Sequence, residues 1–242
     1  MPSPSCLYVV RSIQYLRHVT NTLQPRLFDP LSNFLGTIFF DRTCPHDAHT
    51  GYFPTAEPGT VLTHPRMAQL ETFLFNSICV AEIRRSHSYT KATMPTTLEL
   101  VQAFERLPES VLLVVSGRTT ASGNDFAFGV FIARPLVDGP CIRDGSTSFE
   151  DTAVLFQLSP IHDVFKGQVG RPAWTLTEDK IVFGHEGHGA ALVLDTASAT
   201  VRFAHEPSAT LEETVYLANE HRDKFETQFD LDHLELWAED SS

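Results

Sequence analysis

Apolar residues recur every three or four positions in the first part of this chain and every second position in the rest. Leu7, Val10, Ile13, Leu16, Val19 and Leu23 would stripe one face of a helix. Asp29-Pro30 then offers a cap with proline in the first turn, and Leu31, Phe34, Leu35 and Ile38 share a face behind it. Residues 41–64 are rich in Pro, Gly, His and Thr and read as a loop. Met67, Leu70, Leu74, Ile78 and Ala81 return to helical spacing. The polar stretch from Arg84 to Met94 reads as a connection.

The texture changes at residue 96. Thr96 and Glu99 form a capping box ahead of Leu100, Val101, Phe104 and Leu107, and Pro108 stops that helix. Val111 to Val115 is a continuous apolar run, as in a strand covered on both faces. Phe126, Phe128, Val130 and Ile132 alternate after the turn residues Ser122-Gly123-Asn124-Asp125. Further strands are expected at 154–158, 181–183, 190–194, 201–203 and 231–237, with Thr210 and Glu213 capping one more helix through Leu211, Val215 and Ala218.

Many short strands with turn residues between them and few helices predict an α+β fold. The expected architecture is a two-sheet antiparallel β-sandwich flanked by helices, with a helical N-terminal extension. Residues 1–95 are expected to pack on the sandwich, because two or three short helices bury too little surface to stand alone. In the last strand Leu234 and Leu236 should face one way and Trp237 the other, since side chains alternate.

Composition narrows the classes. Apolar residues make up 42% of the chain and charged ones 20%, enough for a closed core and against wholesale disorder. The net charge of −12 is uneven: residues 1–100 hold 8 Lys+Arg against 7 Asp+Glu, the remainder 10 against 23. An acidic surface repels phosphates, so nucleic acid is not an expected partner. No apolar run reaches the roughly 20 residues that cross a bilayer. Cys6, Cys44, Cys79 and Cys141 are scattered, which suits reduced thiols and a cytoplasmic setting. The acid-free stretch before Asp29 carries Arg11, Arg17 and Arg26, so a mitochondrial presequence is the alternative.

Candidate chemistry is sparse. His185-Glu186-Gly187-His188 invites a metal-dependent hydrolase reading, yet the zinc-protease helix needs two histidines four apart, and these are three apart among Gly184, Gly187 and Gly189. A glycine-rich turn between two strands fits better, and at least one of these glycines should then have positive φ. Cys44, His46, Asp47, His49 and His64 do not match structural zinc spacings. A calcium loop from Asp41 fails at Pro45 and His46. Cys79, between Ile78 and Val80, reads as a buried inert thiol. With no nucleophile elbow and no phosphate loop, the expectation is no catalytic residue, no metal and no cofactor.

Six segments in order carry a resemblance. Glu109-Ser110-Val111-Leu112-Leu113-Val114-Val115, Phe128-Gly129-Val130-Phe131, Val154-Leu155-Phe156-Gln157-Leu158-Ser159-Pro160, Val164-Phe165-Lys166, the stretch from Ile181 to Asp195, and Leu234-Glu235-Leu236-Trp237 are similar to successive landmarks of the TLDc domain of oxidation-resistance proteins. Residues 96–242 would be the TLDc-like domain of a divergent member. The family's Trp-Thr-Gly is replaced by Gly167-Gln168-Val169, its Phe-Gly by Ala190-Ala191 and its Asn pair by Ala204-His205, and an acidic helical insertion is expected from about Glu206 to Thr227. The resemblance implies a sandwich without a demonstrated active site, a role in oxidative-stress protection, and protein partners that in the family include the vacuolar proton-pumping ATPase. The positions it marks as structural signatures are Gly184, Gly187, Gly189, Asp195 and Trp237.

Overall fold

The computed structural model describes residues 59–74, 83–107, 110–119, 123–133, 153–168, 171–177, 179–207 and 214–239. The stripes at Leu7–Leu23 and Leu31–Ile38, the cysteine-histidine loop apart from His64, Ile78, Cys79, Ala81 and the Thr210/Glu213 cap lie outside these residues.

The described chain is mostly β. Helix α1 (His64–Leu74) is followed by strand β1 (Ile83–Thr90), helix α2 (Thr97–Glu105), β2 (Val111–Arg118), β3 (Asp125–Ile132), β4 (Val154–Ser159) and β5 (Asp163–Lys166). Then come β6 (Trp174–Leu176), β7 (Lys180–His185), β8 (His188–Asp195), β9 (Thr200–Glu206) and the long β10 (Phe225–Glu239). All ten strands belong to one antiparallel sheet in the order β5-β4-β3-β2-β10-β9-β8-β7-β6, with β1 also paired to β10.

The expected pair of separate sheets is corrected by this ladder. In a flat sheet β3 and β9, three ladder steps apart, would be about 14 Å from each other. Yet the rings of Phe128 in β3 and Phe203 in β9 stack at 4.6 Å between centroids. The sheet therefore folds over, and β10 is the strand that makes the corner. Its first part pairs with β9 from Phe225 to Asp230, and its second part pairs with β2 from Asp230 to Ala238. A bulge between Leu231 and His233 marks the bend. Gly117 in β2 lies opposite, and a Cβ there would stand 1.9 Å from the Asp230 carbonyl oxygen.

The bulge also shifts the phase of the strand. Phe229 and Leu231 face the interior before it, and Leu234, Leu236 and Ala238 after it. Trp237 points the other way, into a second apolar cluster, as the alternation predicts.

That second cluster explains the unbroken run at 111–115. Val111, Leu113 and Val115 enter the interior, whereas Leu112 and Val114 meet Met67, Leu70 and Leu74 of α1 on the outer face. Each of these three α1 side chains is fully buried, which contributes roughly 1.5–3 kcal/mol apiece. Helix α2 places Leu100, Val101 and Phe104 in the interior cluster. Its capping box is formed, with Thr96 N–H donating to Glu99 Oε2 at 2.8 Å and Glu99 N–H to Thr96 Oγ1 at 3.3 Å.

Two expectations fail. The Arg84–Met94 connection begins as strand β1, so the helical reading of residues 1–95 does not hold over 83–90. Its polar composition suits an edge strand with one ladder partner, a position that alternation of apolar residues does not announce. The acidic helical insertion expected from about Glu206 to Thr227 does not hold over its described residues, 206–207 and 214–227. Strand β9 runs to Glu206 and β10 starts at Phe225, and Val215, Tyr216 and Ala218 are not helical. Tyr216 instead bridges Gly167 and Ala190.

Candidate functional site

The stretch around His185 is a β-hairpin. Strands β7 and β8 meet at the turn residues Glu186 and Gly187, with His185 and His188 paired across its mouth. Gly184, Gly187 and Gly189 have φ of +94°, +84° and +72°, a backbone region that side chains other than hydrogen disfavour. Gly189 has a further reason to lack a side chain. A Cβ on it would stand 2.2 Å from the carbonyl oxygen of Tyr216, which accepts from Ala190 N–H at 3.1 Å. Tyr216 is fully buried, and its phenol donates to the Ala173 carbonyl at 3.1 Å. Burial pushes that phenol far above its ordinary pKa.

The segment around Tyr216 stitches two parts of the sheet together. Gln168 N–H donates to the Val215 carbonyl at 2.8 Å and Leu217 N–H to the Lys166 carbonyl at 2.9 Å, on the β5 side. Beside the hairpin lies an open depression of about 360 Å³. Its lining includes Arg171, Pro172, Val182, His185, Glu186 and Val215.

The hairpin carries His185, Glu186 and His188, the three side chains of the metal reading. The imidazoles of His185 and His188 lie edge to face with centroids 4.7 Å apart. Glu186, which would be the third group, is held instead by the Arg202 guanidinium. Arg202 also reaches Glu226 at 3.3 Å. Among the described residues no group of three or more His, Cys, Asp or Glu side chains is placed to hold a metal ion.

Asp195 and Trp237 sit elsewhere. Asp195 ends β8, and its Oδ1 accepts from Ser198 N–H at 2.9 Å, closing the turn to β9. That bond lowers the Asp195 pKa first of all, against the effect of burial, with Lys180 adding a smaller push. Trp237 Nε1–H donates to Oε2 of Glu235 at 3.0 Å. Glu235 is wholly buried and also accepts from Thr60 Oγ1, Val61 N–H and Arg85 Nη1 at 3.0–3.2 Å. The carboxylate thus ties the segment ahead of α1, β1 and β10 together. The five marked positions are not gathered into one cleft; each serves a turn, a close approach or a buried bond.

These landmarks fall within a longer pattern. Residues 56–240 match the family model of the TLDc domain, well over half of the chain. The chain belongs to the TLDc domain family. The match begins ahead of α1, 40 residues before the expected boundary at 96 (96 − 56). A relative is Restriction of telomere capping protein 5 of Fusarium vanettenii, 23% identical over 202 residues. The alignment covers 70% of this chain and 31% of that protein, so this chain spans less than a third of the relative's length. No helix among the described residues is long and apolar enough to cross a membrane.

Sequence reasoning passed over two buried polar clusters. One is Glu235 with its donors; an acid between Leu234 and Leu236 in an apolar strand was its signal. The other joins Asp163, His205, Asn219 and Arg222, from three distant parts of the sequence. Only folding brings those together.

Proposed function

We propose that this TLDc protein acts through protein–protein contacts and not by catalysis, in the oxidative-stress response or in regulation of the vacuolar proton-pumping ATPase, from a cytoplasmic location. The observation that carries the reading is the family match over residues 56–240. Gly184, Gly187, Gly189, Asp195 and Trp237 then serve as structural signature positions that hold the binding surface in shape. Their hydrogen bonds and backbone angles support that role. Residues 1–95 belong with the sheet and not to a separate domain, a reading supported by burial of α1 on the sheet and by β1 within it. The hydrolase alternative has less support, since Glu186 is engaged by Arg202. No cofactor is needed.

The test is affinity capture of the full chain from its native cell, with mass spectrometry scored for vacuolar ATPase subunits, beside survival of a deletion strain under peroxide. Enrichment of the pump and a peroxide-sensitive deletion are expected. Capture without pump subunits together with normal peroxide survival would sink the proposal.

A further inference from the structure

His205 stands in β9 with 1% of its surface exposed, between Phe225 of β10 and Ala190 of β8. Its ring nitrogens both face the segment 217–224. Nδ1 lies 3.1 Å from the carbonyl oxygen of Asp223, and Nε2 lies 3.0 Å from the backbone nitrogen of Asn219. A carbonyl can only accept, so Nδ1 carries the proton. The Asn219 N–H can only donate, so Nε2 must offer its lone pair. One state of the imidazole satisfies both bonds: neutral, with the proton on Nδ1. A second proton would set N–H against N–H at Asn219.

The same segment has a second tie. Asn219 Nδ2 donates to Asp163 Oδ1 at 3.0 Å, and Arg222 Nη1 to Asp163 Oδ2 at 2.9 Å, with both ionic side chains nearly buried. The Arg222 guanidinium lies 4.8 Å from the Phe225 ring centroid and 5.4 Å from that of Phe203. An imidazolium at position 205 would therefore lose the Asn219 bond and add a positive charge beside Arg222.

We propose that His205 is a proton-operated latch on residues 217–224, closed when the imidazole is neutral and opened when it takes a second proton. Opening lifts Asn219 and Arg222 away from Asp163 and uncovers the aromatic floor of Phe165, Phe203 and Phe225. The surroundings of the ring favour the neutral state on balance, through burial first. Burial lowers the His205 pKa most and Arg222 lowers it further, whereas the Asp223 carbonyl, Asp163 of β5 and Glu206 of β9 raise it. Lys224 is paired to Glu206 at 2.6 Å, which offsets that acid. Tyr216, near Ala190, is held neutral by burial.

The experiment is amide hydrogen exchange on the full chain at about pH 7.5 and about pH 5.5, corrected for intrinsic rates, with His205→Gln as the variant that cannot titrate. In the native protein, protection over 219–224 should fall by up to about tenfold per pH unit as the ring approaches its own pKa. In His205→Gln it should stay flat. Unchanged protection in the native protein overturns the latch, and so does an equal fall in both proteins. If the variant does not fold, nuclear magnetic resonance of the native protein decides. The Asn219 amide and the His205 ring should shift at one common midpoint; separate midpoints overturn the proposal.

Discussion

The carbonyl oxygen of Tyr216 occupies the space that a side chain on Gly189 would need, 2.2 Å from the ideal Cβ position. A glycine in β8 is thereby the condition for the cross-bridge at Tyr216, and the bridge in turn buries the phenol against Ala173. Gly187, at the hairpin turn, has the same class of backbone angle with nothing within 4 Å of the would-be Cβ. The pair separates conformational strain from collision. Gly187→Ala should cost about 1 kcal/mol. Gly189→Ala should cost clearly more, because the Tyr216 backbone must move. Urea denaturation of both variants checks this, and equal losses would show that the bridge is loosely held.

Glu235 should be the costliest acid to remove. It accepts from four partners and has no exposed surface. Glu235→Ala removes the ion pair with Arg85 and leaves the Thr60, Val61 and Trp237 donors without this acceptor, a loss of about 3–5 kcal/mol. Exchange of the Val61 amide should rise together with that of α1. Glu235→Gln keeps an acceptor but gives up the ion pair with Arg85, and should fall between the two. A stability unchanged in Glu235→Ala would mean that the segment ahead of α1 is held by other contacts.

The hairpin histidines should be dispensable for folding. His188→Ala is expected to change stability by less than about 1 kcal/mol. Elemental analysis of protein purified without chelator should find well under one equivalent of zinc. Stoichiometric zinc that disappears in His188→Ala would revive the hydrolase reading.

Stability should fall in mild acid through His162. Its Nε2 is buried without a hydrogen-bond partner, and its ring packs 5.5 Å from that of Phe73. Burial lowers its pKa, with Asp163 opposing more weakly. A depressed folded value means that the unfolded chain binds the proton first. The contribution is therefore complete above the ordinary histidine pKa of about 6.5 and is lost as pH falls from there through the lowered folded value. Melting temperature measured across this window should decline less in His162→Phe than in the native chain. His205, whose pKa is lowered in the same direction, contributes to the residual slope.

Much of the fold was legible from local pattern. The Thr96/Glu99 box, the inward set Phe126, Phe128, Val130 and Ile132, the doubly covered run at 111–115 and the opposite facing of Leu236 and Trp237 all follow from periodicity and capping. These features depend on neighbours within a few residues, which is the range over which backbone geometry repeats. The turn at Glu186-Gly187 was legible for the same reason, because glycine announces positive φ locally.

Tertiary structure decided what periodicity cannot encode. Strand β1 carries no apolar alternation and exists because β10 offers it a ladder. The phase of β10 slips at the Leu231/His233 bulge, so two interior stripes of opposite parity share one strand, and the corner they turn makes a single sheet where two were expected. Val215 was expected on a helical stripe with Leu211 and Ala218, but its neighbour Tyr216 bridges Gly167 and Ala190 and draws the segment into an extended cross-link. The ring of His205 meets Asn219, and Asn219 meets Asp163 56 positions away, only after β5, β9 and β10 have assembled. Sequence sets the local conformations that cost least. Which buried donor finds which acceptor is settled by long-range closure of the sheet, because an unpaired polar group in the interior costs more than a locally unfavoured backbone.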